Sequence, residues 1–336
     1  MIPYAEFNTF LLVILLIAGL ALLCFGGDWL ARGAASLALN LNINPIVVGL
    51  TIVAVATSMP ELIAGFFAAA QGLDGLVVGN VVGSNLGNMG LILGAAALIY
   101  PIRIQRRLLR QELPILLVVT VLFSFMGLSL RGGPGVLDRL DSVLLLSGVV
   151  AYVGFILHQV LRNRSQQPAE DEIAEEIVNP IRSQWVCAGW VLAGAIALAA
   201  GADFLVGSAS QLASRMGVSE GLIGLTIVAV GTSLPELAAS FAAAVRKQSD
   251  IIAGNIIGSN IFNMLLIGGG VSIVFPIQVD PRFYRIEYPC MLLLTILLWI
   301  TCCTGRKVTR VEGGVLVVVY AVVILLATLS QTGKLF

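Results

Sequence analysis

The sequence predicts an all-α polytopic membrane protein with ten transmembrane helices in two inverted-topology repeats of five. Three observations carry this: an apolar composition, ten spans of membrane length, and an internal repeat at one constant offset. Of 336 residues, 58% are hydrophobic and 11% are charged, whereas soluble domains carry about 25% charged residues. Lys plus Arg and Asp plus Glu each number 19, so the net charge is zero. No electrostatic case for nucleic-acid binding remains. The 36 glycines fit membrane helices, where glycine is more frequent than in soluble ones.

A membrane span needs roughly 20 mostly apolar residues. Such stretches run over 10–38, 46–71, 76–99, 111–130, 139–161, 185–213, 221–245, 251–274, 286–303 and 312–330. The first follows an N-terminus without Lys or Arg, and no small-residue cleavage site follows it. It therefore reads as a retained helix and not as a signal peptide. Breaks are marked by Asn40 to Pro45, Pro101 to Arg110, Arg131 to Asp138 and Pro276 to Arg285. The long polar segment, Arg162 to Gln184, holds five acids between Glu170 and Glu176 and reads as a solvated linker. The expected organisation is a first repeat at 1–161, a cytoplasmic linker at 162–184 and a second repeat at 185–336. Twelve Lys and Arg fall in the gaps after odd-numbered spans and six in the remaining gaps and termini. An excess of basic residues marks the cytoplasm, so both termini are expected outside. The five cysteines form no CxxC and lie in or beside apolar runs, which disfavours a disulfide framework or a zinc site.

The repeat is the strongest signal. Residues 49–94 and 224–269 align without a gap at an offset of 175, with 26 of 46 positions identical. The identities include Thr, Ser, Pro, Glu, Asn and Gly, which apolar low complexity does not produce. The same offset relates Asp28 to Asp203 and Pro101 to Pro276. Five spans separate the copies, so the second enters the membrane from the opposite side. Such inverted repeats place a shared site near the midplane where the copies meet.

Polar residues are costly in lipid, yet they are the part kept in both copies. Thr57, Ser58 and Glu61 share one helix face with Ala54. Pro60 lacks an N–H and clashes with the carbonyl four residues back, so a kink or opening at Ala56 is expected. Thr232, Ser233, Pro235 and Glu236 repeat the pattern, with Gly231 in the place of Ala56. On the next helix Asn80, Gly83, Ser84, Asn85 and Asn88 recur as Asn255, Gly258, Ser259, Asn260 and Asn263. The combined set offers two carboxylates, hydroxyls, amides and freed carbonyls. All are oxygen donors of the kind hard cations take, and His, Cys and Met are missing from it. A lone intramembrane carboxylate costs about 2.5–3.5 kcal/mol or more. Two facing ones also repel, and a divalent cation, or sodium ions or protons in its place, would relieve both costs. The plain alternative for either acid is a neutral, hydrogen-bonded structural group.

The motifs ATSMPE, GTSLPE, GNVVGSN and GNIIGSN, each GSN with a downstream Asn, resemble the paired alpha-repeats of the calcium/cation antiporter superfamily. Prokaryotic sodium/calcium exchangers are the type they match. The resemblance spans essentially the whole chain. It implies Glu61 and Glu236 as central calcium ligands, with Thr57 and Thr232 assisting. It implies flanking sodium sites built from Ser58, Ser84, Ser233, Ser259 and the carbonyls of Ala54 and Ala229. Asn88 and Asn263 would lie at the centre, and the first and sixth helices would form a gating bundle that slides past the core. The chain departs from the family pattern in having Asn at both central amide positions and Ala56 where Gly is usual. Its linker is also too short for a calcium-sensing domain.

The expected function is therefore secondary antiport of Ca²⁺ outward against inward Na⁺ in a prokaryotic inner membrane. Ca²⁺/H⁺ exchange is the alternative and a cation channel a more distant one. No nucleophile–base pair suggests an enzyme, and no cofactor is expected beyond the transported ions, with H⁺ or K⁺ as further candidates. The expected partners are small cations and the lipid bilayer. Asp28 and Asp203 are read as helix acids bonded to neighbours, Asp28 to Arg32 four residues on. His158 and the four tryptophans are read as interfacial residues.

Overall fold

The computed structural model describes residues 4–41, 43–126, 135–162, 181–216, 231 and 233–331. Its helices are α1 (Thr9–Asn40), α2 (Pro45–Ala70), α3 (Asp74–Ile99), α4 (Leu108–Phe125) and α5 (Arg139–Arg162). They continue as α6 (Gln184–Arg215), α7 (Leu234–Val245), α8 (Ser249–Val274), α9 (Glu287–Cys303) and α10 (Arg310–Gln331). Among the described residues nine helices are long and apolar enough to cross a membrane, and α7 is a shorter apolar helix. The predicted span 221–245 is thus seen only in its C-terminal part; 217–230 and 232 lie outside the described residues, as does 163–180 in the linker.

Local chemistry sets the helix starts. Asn8 caps α1 by accepting from Leu11 N at 2.8 Å. Asn44 caps α2 by accepting from Ile46 N at 3.0 Å, with Pro45 at the first helical position, where its missing N–H costs nothing. Asp138 caps α5 through Leu140 N at 2.8 Å.

The two halves run in opposite directions. A Cβ on Gly19 would stand 2.8 Å from Gly201 O, and one on Gly26 would stand 3.0 Å from Gly194 O. Residue numbers rise along α1 as they fall along α6, so these repeat-related helices are antiparallel. The contact also swaps under the repeat: Gly19 maps onto Gly194 and Gly26 onto Gly201. Small residues let the two backbones approach closely.

Two short ribbons close opposite ends of the bundle. Strand β1 (Ile102–Arg103), after α3, pairs antiparallel with β4 (Lys307–Val308), between α9 and α10. Strand β3 (Ile277–Gln278), after α8, pairs with β2 (Val136–Leu137), between α4 and α5. Helix α4 runs from the first ribbon to the second, while its repeat α9 runs from the second to the first. Each ribbon joins one strand from either half.

Helices α2, α3 and α8 are the most buried of the membrane-length set. Helix α2 meets α8 where a Cβ on Gly254 would lie 2.7 Å from Ile46 O and one on Gly258 would lie 2.6 Å from Leu50 O. These two helices therefore run parallel, as the second copy's inversion requires.

The sequence expectation at the prolines is corrected. Helix α2 remains helical through Pro60, and its irregularity is a π-turn at Gly49–Val53, just before Ala54. In the second copy Ser233 is non-helical, and α7 begins at Leu234 with Pro235 in its first turn.

Asp28 is also corrected. Its carboxylate pairs not with Arg32 but with Arg246, at the end of α7, with Nε at 2.7 Å. Arg32 instead lies over the Trp190 ring, 5.8 Å from its centroid. Asp203 accepts from the Tyr4 hydroxyl at 2.8 Å. All five cysteines are free thiols.

Candidate functional site

The site is built where α2 and α7 approach each other between α3 and α8. Glu61 is 1% exposed and Glu236 is fully buried. Their carboxyl groups lie close enough to interact electrostatically. The acids therefore converge from repeat-related helices of opposite halves. Ser58 Oγ donates to Glu236 Oε1 at 3.1 Å, so the serine of one copy serves the acid of the other.

Both carboxylate oxygens of Glu61 and Oε2 of Glu236 have no hydrogen-bond donor among the described residues. The described ion pairs join Arg107 to Glu112, Arg246 to Asp28 and Arg282 to Asp280, and none involves this pair. Two acids buried side by side cannot both carry charge without a compensating positive ion or proton.

The amides of Asn88 and Asn263 are completely buried. Each sits at or next to the start of a π-turn, Gly87–Ile92 in α3 and Asn263–Gly268 in α8. Such turns recur at functional sites because they re-aim side chains. Both polar atoms of both amides are unpaired among the described residues. A buried polar group left unmatched costs about 1–3 kcal/mol, so unpaired amides of this kind call for a polar partner.

The flanking groups gather around Ala54. Its carbonyl accepts from Thr57 Oγ at 3.3 Å and from Ser259 Oγ at 3.5 Å. Both are long contacts. Ser84 and Ser233 meet hydroxyl to hydroxyl at 3.4 Å across α3 and α7. The structure thus joins Ser58 to Glu236, Thr57 and Ser259 to Ala54, and Ser84 to Ser233, with Glu61 beside Glu236, while Asn88 and Asn263 are buried on α3 and α8. Thr232 and Ala229 lie outside the described residues.

Asn255 belongs with the set although sequence reasoning left it off the site. It accepts from Thr57 Oγ at 3.2 Å and from Ser259 Oγ at 3.5 Å, and donates to Ser240 Oγ at 3.4 Å. Its repeat partner Asn80 donates to the Glu61 carbonyl at 3.1 Å. The signal was their recurrence at the 175-residue offset. Their role is to hold the hydroxyls and the backbone of the acid-bearing helix.

A further buried acid lies apart from this site. Glu112 in α4 pairs with Arg107 at 3.5 Å and accepts from the Tyr152 hydroxyl at 3.2 Å. Arg107, Arg110, Glu112 and Pro114 recur as Arg282, Arg285, Glu287 and Pro289, so the repeat extends beyond the two motif helices.

Two inverted helical halves that share a site of buried acids and neutral oxygens define a membrane transporter for small cations. The chain belongs to the sodium/calcium exchanger protein family, whose model matches residues 11–160 and 186–329. It is 31% identical to the sodium/calcium exchanger MaX1 of Methanosarcina acetivorans, over 91% of this chain and 95% of that one. It is 35% identical to the inner membrane protein YrbG of Escherichia coli, over 86% of this chain and 87% of that one. Among solved structures it resembles the sodium-calcium exchanger NCX_Mj with a TM-score of 0.79 at 28% identity, covering 95% of this chain and 99% of the other. It is a polytopic integral membrane protein of an ion-antiporter family.

Proposed function

We propose that the protein exchanges Na⁺ for Ca²⁺ by alternating access, carrying Ca²⁺ outward against inward Na⁺. The observation that carries this reading is the buried, mutually facing pair Glu61 and Glu236 with no cationic side chain beside it among the described residues. Ca²⁺ takes 6–8 oxygens at about 2.3–2.6 Å. Glu61 and Glu236 would supply the charge, with oxygens from Thr57, Thr232, Asn88 and Asn263 around them. Na⁺ would occupy flanking positions made by Ser58, Ser84, Ser233 and Ser259 with the carbonyls of Ala54 and Ala229. Both cargoes neutralise the same two acids, so one excludes the other and the ions move in exchange.

The glycine-lined pair α1 and α6 packs as a unit against the site helices, which suits it to act as the moving bundle. The halves would divide at 1–161 and 185–336, with the 162–184 linker in the cytoplasm and both termini outside, in the inner membrane of a prokaryote. That orientation follows the distribution of Lys and Arg.

The second reading, Ca²⁺/H⁺ exchange, is favoured by the same facing carboxyls, since protons would neutralise them equally well. Everted vesicles separate the two. Calcium-45 uptake driven by a sodium gradient under proton-gradient collapse supports sodium coupling. Uptake that follows only the proton gradient refutes it.

A further inference from the structure

We propose that the β1·β4 ribbon is a binding site for the phosphate headgroup of an anionic phospholipid, held between Arg103 and Lys307. In the antiparallel register Arg103 stands directly opposite Lys307. Like charges facing each other across a ribbon are destabilising, yet here they are joined by further cations. Arg106, Arg110 and Arg306 are exposed along with Arg103 and Lys307. None of these five forms an ion pair among the described residues.

The nearby carboxylates are held by other donors, although Glu312 also lies close enough to Lys307 to feel its charge. Glu112 is taken by Arg107 and Tyr152, and Asp250 accepts from Gln105 Nε2 at 2.5 Å. Glu312 accepts from the Thr309 N–H at 2.8 Å and the Thr309 hydroxyl at 2.7 Å.

The turn before β4 is built to hold its cations. Arg306 has φ of 55°, a left-handed conformation that a residue with a side chain adopts at a cost. Its carbonyl is tied down by Ile104 N at 2.8 Å. The neighbouring Arg310 is committed to the end of α3, its Nε donating to Leu98 O at 3.1 Å.

Position selects the ligand. The ribbon joins the end of α3 to the start of α10, so it lies at the level where a bilayer places its headgroups. Anionic lipid attracts such basic segments. The opposite ribbon carries no equivalent pair: Gln278 faces Val136 and Ile277 faces Leu137. Its Arg282 is paired with Asp280 at 2.7 Å. Since β1 and β4 come from different halves, a bound lipid would tie the halves together at one end only. The proposal stands apart from the exchange reaction and does not depend on which ions are carried.

The test is native mass spectrometry of the full chain with dioleoylphosphatidylglycerol, dioleoylphosphatidylcholine or millimolar inorganic phosphate. Wild type is expected to retain phosphatidylglycerol over phosphatidylcholine, and inorganic phosphate should leave that lipid bound. Arg103→Gln with Lys307→Gln should weaken phosphatidylglycerol binding about 25-fold, or about 5-fold per cation. Arg139→Gln with Arg285→Gln, at the other ribbon, should not weaken it. Should the double variant not fold, Lys307→Gln alone should weaken it about 5-fold. Retention by a folded ribbon variant within two-fold of wild type overturns the proposal. Displacement of the lipid by inorganic phosphate also overturns it, because the site would then be one for free anions.

Discussion

At the scale of single residues, the chemistry rests on polar atoms that the fold buries and leaves available. Ser58 donates to Glu236 across the halves at 3.1 Å. A hydrogen bond to a charged group contributes about 1.5–3 kcal/mol. Ser58→Ala is therefore expected to lower calcium transport about 10-fold or more, measured as initial calcium-45 uptake in proteoliposomes. Asn255 acts through others, since it holds Thr57 and Ser259. Asn255→Leu is expected to raise the sodium concentration needed for half-maximal exchange more than it lowers the maximal rate. A loss of rate alone would show that Asn255 does no more than support folding. The acids, the TS-x-PE context and the central amides were legible in the sequence because each occurs twice at one offset. The Asp28–Arg246 pair was not legible, because Arg246 is replaced by Gln71 in the first copy. A contact between residues 218 apart leaves no local spacing to read.

At the scale of elements, close packing decides which helices move together. A Cβ on Gly194 would stand 2.6 Å from Leu30 N and 2.8 Å from Gly26 O, whereas one on Gly189 meets nothing within 4 Å. Gly194→Val is expected to destabilise the protein by about 1–3 kcal/mol, read as a lower Tm in detergent. Gly189→Val on the same helix should leave Tm nearly unchanged. Equal effects would mean that the α1–α6 contact is not the close one described. The helices themselves were readable, because membrane length and hydropathy leave few other structures. The behaviour of the two prolines was not. Identical TS-x-PE contexts give a continuous helix at Pro60 and a helix start at Pro235. The proline rule removes one hydrogen bond in either case. Whether the helix continues or starts there depends on tertiary packing, which neighbouring sequence does not encode.

At the scale of the whole molecule, the inversion inferred from an odd number of intervening spans appears as antiparallel α1 and α6 and as ribbons at opposite ends. The ribbons provide a direct check of topology. Lys307→Cys and Gln278→Cys should be labelled by an impermeant maleimide from opposite sides of the membrane, Lys307→Cys from the cytoplasm. Labelling of both from one side would contradict the inverted arrangement. Inversion in turn gives the shared site its meaning, since under the proposed mechanism two mirrored halves would present one pair of acids to either side in turn. The most direct measurement is calcium-45 exchange by purified protein in sodium-loaded proteoliposomes, comparing wild type with Glu61→Gln and Glu236→Gln. Wild type should exchange Ca²⁺, and each variant should be folded and inactive. Normal exchange by either variant would contradict the assignment of this pair as the place where the transported cation is held.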